Sequence, residues 1–187
     1  MAPLVNDERT LIMANAARLL GDAKLLADHN RFASAFALAV LGVEEIGKVI
    51  LDIWETGKSL PKPKIRKSSH LRKQSAVGSV LLASFAVKEC SGIIEAPITD
   101  ELVEGVARAF HDSLEGRFLG HIATGAFEKT KHLAMYRDEW LTSASLNADQ
   151  FVKSDVTGIL EFARSAVAAF DDARIMRTGR AIYETNS

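Results

Sequence analysis

The sequence predicts an all-α fold, an antiparallel bundle of about five helices with the packing of a helical-bundle core. Three observations predict it. Apolar residues from Phe32 to Ile53 recur at alternating four- and three-residue steps, the period of a helix seam. The four prolines, Pro3, Pro61, Pro63 and Pro97, all fall outside the periodic segments, where a missing backbone N–H breaks no helix. No stretch alternates apolar and polar residues over the length of a strand.

The first helix is expected from about Asp7 to Ala27, with Leu11, Ile12, Asn15, Leu19 and Leu26 near one face, and His29-Asn30 as a short break. The second carries the seam Phe32, Phe36, Ala39, Val43, Ile46, Ile50 and Ile53. Its flanks, including Leu38, Val40, Leu41, Leu51 and Trp54, are also apolar, which makes it the central helix. Gly57, Pro61 and Pro63 end it. A third helix starts at the Ser68-Ser69 cap and runs to about Cys90, burying Leu71, Leu81, Leu82 and Phe85. A fourth starts at Thr99, whose hydroxyl can cap free amides while Asp100 and Glu101 complement the positive helix end, and reaches about Lys129. Gly105, Gly116, Gly120 and Gly125 weaken it by up to about 1 kcal/mol each relative to alanine, so a kink or split is expected there. Residues 130–146 read as a connection holding Tyr136 and Trp140, and a last helix from about Asn147 to Met176 presents Phe151, Ile159, Phe162, Val167 and Phe170. Residues 1–187 form one domain with a bundle core from about 7 to 176.

Composition narrows the class. A chain of 187 residues with 48% apolar and 25% charged side chains can bury a core without covalent staples. The single cysteine, Cys90, excludes an internal disulfide and a cysteine-based metal site, and fits a reducing compartment. Asp7 and Glu8 precede any long apolar block, which argues against a secretory leader, and the apolar stretch Phe32–Val43 is about half a membrane span. The expectation is a cytoplasmic protein with no membrane partner. The formal net charge of −1 hides an asymmetry: between Thr56 and Lys88 stand Lys58, Lys62, Lys64, Arg66, Lys67, Arg72, Lys73 and Lys88 with no acid among them. Such a basic segment suits an anionic partner such as RNA, and equally a solvated loop balancing an acidic body.

Chemistry concentrates in two places. Glu44, Glu45 and Lys48 interrupt the apolar central helix, and Glu44 to Lys48 is the i,i+4 spacing that brings two heads to one face. If buried, these charges form a structural ion pair or a site, and Gly47 beside them admits a neighbouring backbone. His70 lies in the run Ser68-Ser69-His70-Leu71-Arg72-Lys73, where an imidazole near phosphate-binding cations suits general base catalysis on RNA, or is simply an exposed polar residue of the first helical turn. Glu44 and Glu45 with His70 offer oxygen and nitrogen donors for a cation, but no HExxH or paired Glu-x-x-His motif is present, and His111 and His121 stand about 15 Å apart along a helix. Nucleotide-binding GxxxxGK[ST] and GxGxxG turns and the GxSxG elbow are also absent, so neither a metal nor a cofactor is expected.

Three segments carry a resemblance: Ala23-Lys24-Leu25-Leu26, the run from Arg31 to Lys48 ending Val43-Glu44-Glu45-Ile46-Gly47-Lys48, and Ser69-His70-Leu71-Arg72-Lys73. With the later Lys131-His132-Leu133-Ala134-Met135-Tyr136-Arg137-Asp138, they resemble, in order, the AbiV-type abortive-infection family of bacteria. That family is similar to HEPN-like helical bundles, many of which dimerise and include RNases of defence systems. The resemblance implies phage defence, a homodimer, and action on RNA or on a translation component. Its motif residues fall on Glu44, Glu45, Gly47, Lys48, His70, Tyr136 and Asp138. Active HEPN RNases carry Arg and His with four to six residues between them. Here Arg66 to His70 and Arg117 to His121 have three between, and Arg108 to His111 has two.

Three functions follow as expectations. The first is a defence protein whose basic side chains Lys62, Lys64, Arg66, Lys67, Arg72 and Lys73 contact RNA. The second is a non-enzymatic adaptor for a phage or host protein, with Trp54, Tyr136 and Trp140 as anchors. The third is a metal-independent RNase with His70 as base, Glu44 beside it and Lys48, Arg72 or Lys73 on the phosphate.

Overall fold

The computed structural model describes residues 6–56, 69–90, 105, 108–135 and 151–185, and every regular element among them is helical. α1 (Asn6–Asp28) and α2 (Phe32–Glu55) form an antiparallel hairpin. Its turn is made by Asn30 in the left-handed region at φ 58°, which lets Arg31 N–H reach back to Leu26 O at 2.8 Å and close the helix end. The seam of α1 is small: Ala16, Leu19, Ala23 and Ala27 are buried, whereas Leu11, expected on that face, is 69% exposed. Close packing of the hairpin needs this, because a Cβ on Gly42 would lie 2.9 Å from the Leu20 side chain. At the far end Arg9 Nε donates to the buried Asp52 Oδ2 at 2.6 Å, so the carboxylate inside the bundle is paired.

α2 is the central rod, as its sequence predicts, with Phe36, Ala39, Val43, Ile46 and Ile50 all buried. It touches α1, α3 (Ser69–Cys90), α5 (Ala126–Met135) and α6 (Lys153–Ala168). The fourth expected rod is divided. Ser113 accepts a hydrogen bond from Gly116 N at 3.0 Å and so starts a fresh helix, α4 (Leu114–Ala123), which ends at Gly125 with φ 67°. α5 follows at once, so residues 130–135 belong to a helix and not to the expected connection.

The last expected rod is also cut. Asp172 accepts from Arg174 N at 2.8 Å, ending a short 3-10 turn (Ala169–Asp171) and opening α7 (Ala173–Thr185). Paired with the Arg174 guanidinium and its backbone amide, the Asp172 carboxyl is held down at about 2. α7 carries the core beyond residue 176: Gly179 lies against Val80 of α3, and Tyr183, only 3% exposed, packs on Trp54 with ring centroids 5.5 Å apart. Trp54 is itself 3% exposed and donates to Met176 O at 3.1 Å, so it is a core residue rather than an interface anchor. An aromatic cluster of Phe36, Phe118, Phe127, Phe151 and Phe162 joins α2, α4, α5 and α6.

Candidate active site

Where α3 crosses α2 the two backbones nearly touch. A Cβ on Gly47 would stand 2.2 Å from the carbonyl oxygen of Lys73, so only glycine allows this approach. One turn before Gly47 on α2 lies Glu44, and one turn before Lys73 on α3 lies His70. The contact of the helices therefore brings Glu44 Oε2 to 2.6 Å from His70 Nδ1. Glu45, its sequence neighbour, is half-buried and makes no ion pair among the described residues.

Glu44 is 3% exposed and surrounded by donors. Besides His70, Gln74 Nε2 donates to Oε1 at 2.9 Å and Lys131 Nζ donates to the same oxygen at 2.9 Å. Its partner is therefore not Lys48, which is half-buried and unpaired among the described residues. A buried carboxylate needs several donors, and the local i,i+4 pairing rule describes exposed helix faces, where a pair is worth only about 0.2–0.5 kcal/mol. Lys131, on α5, also lies 2.9 Å from Glu128 Oε2, one turn earlier on the same helix. That contact is an ion pair off the hydrogen-bond axis, so Glu128 Oε2 is a buried acceptor without a hydrogen-bond donor, as is Gln74 Oε1. Glu128 Oε1 meets His132 Nε2 at 2.8 Å.

The electrostatics follow from burial and pairing. Burial works against the Lys131 ammonium, but its hydrogen bond to Glu44 and its close contact with the Glu128 carboxylate, reinforced by their charges, outweigh burial and raise its pKa above the usual lysine value. Burial likewise pushes the Glu128 carboxyl up, yet the Lys131 ammonium against it, the hydrogen bond with His132 and the nearby positive charges bring it below its usual value. A lowered carboxyl stabilises the fold above its unfolded-state value near 4.5 and loses that contribution as pH falls below it. A raised ammonium contributes below 10.5 and loses its contribution as pH climbs past the folded value. Thermal unfolding between pH 3 and 6 should therefore show wild-type stability dropping below pH 4.5, with a flatter profile in Glu128→Gln; parallel profiles would contradict the pairing.

Chemically, the arrangement is an oriented imidazole. With His70 neutral, the all-acceptor Glu44 oxygen fixes the proton on Nδ1 and leaves Nε2 as the basic nitrogen, on a side chain that is 42% exposed. Glu44, Glu128 and Lys131 sum to one negative charge, so a proton taken up by His70 brings the cluster to neutrality. Glu44, His70 and Glu128 also bring one ligand atom each within 4.8 Å of one another, a spacing that suits a cation. The Lys131 ammonium already stands against both carboxylates, so the chain carries its own positive charge there.

Of the other expected residues, Arg72 is drawn aside, with Nη2 3.7 Å from Glu55 and Nε donating to the Tyr183 hydroxyl at 3.5 Å. Lys73 is half-buried on α3. Lys62, Lys64, Arg66, Lys67, Tyr136 and Asp138 lie outside the described residues, as does Trp140. Sequence reasoning missed Gln74, Glu128, Lys131 and His132 as partners of Glu44 and its network. The available signals were the spacing His70-x3-Gln74 and the run Glu128-x2-Lys131-His132, each of which places polar heads on one helical face.

Among comparisons with known proteins, a family model of the HEPN group described as AbiV matches residues 5–165. No curated protein and no solved structure matches the chain. No helix of the described residues is long and apolar enough to cross a membrane.

Proposed function

Because this chain belongs to the HEPN-type AbiV family, we propose that it is an abortive-infection protein of bacterial phage defence that cleaves RNA, with His70 as acid–base group and Glu44 as the residue that orients it. The observation that carries the reading is the 2.6 Å contact between a half-exposed imidazole and a carboxylate buried among donors. In a general-base step His70 Nε2 takes the proton of a ribose 2′-hydroxyl as that oxygen attacks the adjacent phosphorus. The P–O5′ bond breaks, the leaving 5′-oxygen takes its proton from water, and the products are a 2′,3′-cyclic phosphate and a 5′-hydroxyl end. The imidazolium so formed is stabilised by Glu44 and returns its proton to solvent. Lys73 on α3 and the basic residues 62–67 are the groups assigned to the phosphates, in a homodimer acting in the cytoplasm.

The test is cleavage of single-stranded RNA by purified protein in the presence of a chelator. His70→Ala should lower the rate by about 10²–10⁴-fold, the range for a lost general acid–base group. Cleavage by His70→Ala at the wild-type rate would sink the assignment. RNA affinity should also fall steeply with salt, since phosphate contacts release counterions.

A second reading, a non-enzymatic adaptor for a phage or host protein, draws on the missing four-to-six-residue Arg–His spacing and on Leu11 and Leu25, which are 69% and 59% exposed on α1. Phage resistance undiminished by His70→Ala would favour it.

A further inference from the structure

Away from the Glu44 cluster, α4, α5 and α6 enclose a cleft of about 750 Å³, within the range of small-molecule sites. Its apolar wall is made by Phe118, Phe127 and Phe151, with Phe118 and Phe127 stacked 10° from parallel at 5.4 Å. Its rim carries three exposed charges, Arg117, Lys153 and Glu161, none of which makes an ion pair or side-chain hydrogen bond among the described residues. Arg117 and Lys153, the latter also within electrostatic range of Asp28, offer N–H donors to an anion, and Glu161 offers acceptors to N–H groups. Of the nearby rings, Phe118 is less buried than Phe127 and Phe151. Lys153 also opens α6, whose first amides add positive potential on the same side. Asp155 at that helix start is already committed, accepting from Val152 N–H at 3.0 Å.

These requirements describe one ligand class. We propose that this cleft binds a nucleoside monophosphate unit, its base against the phenylalanine wall, its phosphate on Arg117 and Lys153, and its N–H edge on Glu161. Guanine suits Glu161 best, because it presents two adjacent N–H groups to a carboxylate. The unit is either a free nucleotide or one residue of a single strand, and only the strand form rests on the RNA reading above. Phe127 precedes Glu128 on α5, and Phe36 of the same cleft lies two turns from Glu44 on α2, so two helices link the cleft to the Glu44 cluster.

The four nucleoside monophosphates and a guanosine-containing RNA pentamer are titrated into the full chain by calorimetry or NMR. Guanosine monophosphate should bind with a dissociation constant below about 1 mM, weakened about tenfold or more in Arg117→Glu and Lys153→Glu. Its preference over uridine monophosphate should shrink in Glu161→Gln. Circular dichroism confirms that these exposed substitutions leave the helices formed. A pentamer binding at least tenfold tighter than the monophosphate, through the same residues, assigns the cleft to a strand; monophosphate binding alone assigns it to a free nucleotide. No saturable binding of any monophosphate, equal affinity in both charge-reversed variants, or a guanosine preference unchanged by Glu161→Gln overturns the proposal. Each reading fails on its own evidence: RNA cleavage indifferent to His70→Ala removes the catalytic assignment and leaves the cleft, whereas binding indifferent to the rim removes the cleft and leaves His70.

Discussion

Glu44→Leu should destabilise the protein by about 3–5 kcal/mol, the usual cost of deleting one partner of a buried ion pair. The loss arises less from the missing contacts than from what remains. Lys131, whose side chain is 4% exposed, keeps only the off-axis Glu128 carboxylate, and Gln74, 0% exposed, loses the acceptor of its amide. The double variant Glu44→Leu/Lys131→Met removes both buried charges and should recover a large part of that loss, because an apolar pair of similar volume is often as stable as the ions it replaces. Urea unfolding followed by circular dichroism measures both. A single variant within about 1 kcal/mol of wild type would mean that Lys131 finds water or another anion.

Gly47→Ala should separate α2 from α3. The added carbon would sit 2.2 Å from the Lys73 carbonyl oxygen, and no flexible side chain is present to yield. Overpacking of this kind costs about 1–3 kcal/mol when a core can adjust, and more when the obstacle is backbone. Function should suffer more than stability, because the same crossing sets the 2.6 Å contact of Glu44 with His70. Nitrogen NMR of His70 should show the Nδ1–H form of the neutral ring giving way to a tautomer mixture; an unchanged Nδ1–H ring would show that the dyad tolerates the separation. Gly120→Ala is the control. Nothing lies within 4 Å of its position in α4, so the swap should stabilise the helix by up to about 1 kcal/mol.

The contrast between those glycines marks what the sequence discloses. Gly47 announces itself by standing in an apolar helix beside charged residues, but nothing local says that Lys73 is its neighbour. The seam of α2 is legible because its core-facing positions keep a four-three rhythm from Phe32 to Ile53, with Phe36, Ala39, Val43, Ile46 and Ile50 buried and the two end residues partly so. The division of the later rods is legible only in part. The glycines of the fourth warn of a break, but Asp172 breaks the last one through a cap that resembles an ordinary surface acid. Lys131 is the hardest to read, since it lies 87 residues from Glu44 and its run Lys131-His132 has the look of a polar connection. Lys48 misleads for the complementary reason: spacing makes it the obvious partner of Glu44, and tertiary donors displace it.

The burial of Trp54 beneath α7 gives the molecule an optical gauge. With the second tryptophan removed by Trp140→Phe, its indole emission should be blue-shifted while Met176 O holds the ring N–H and Tyr183 covers its face. Peeling the C-terminal helix from α3 would wet the indole and move that emission to the red, so undocking of this one element can be followed in real time without a label.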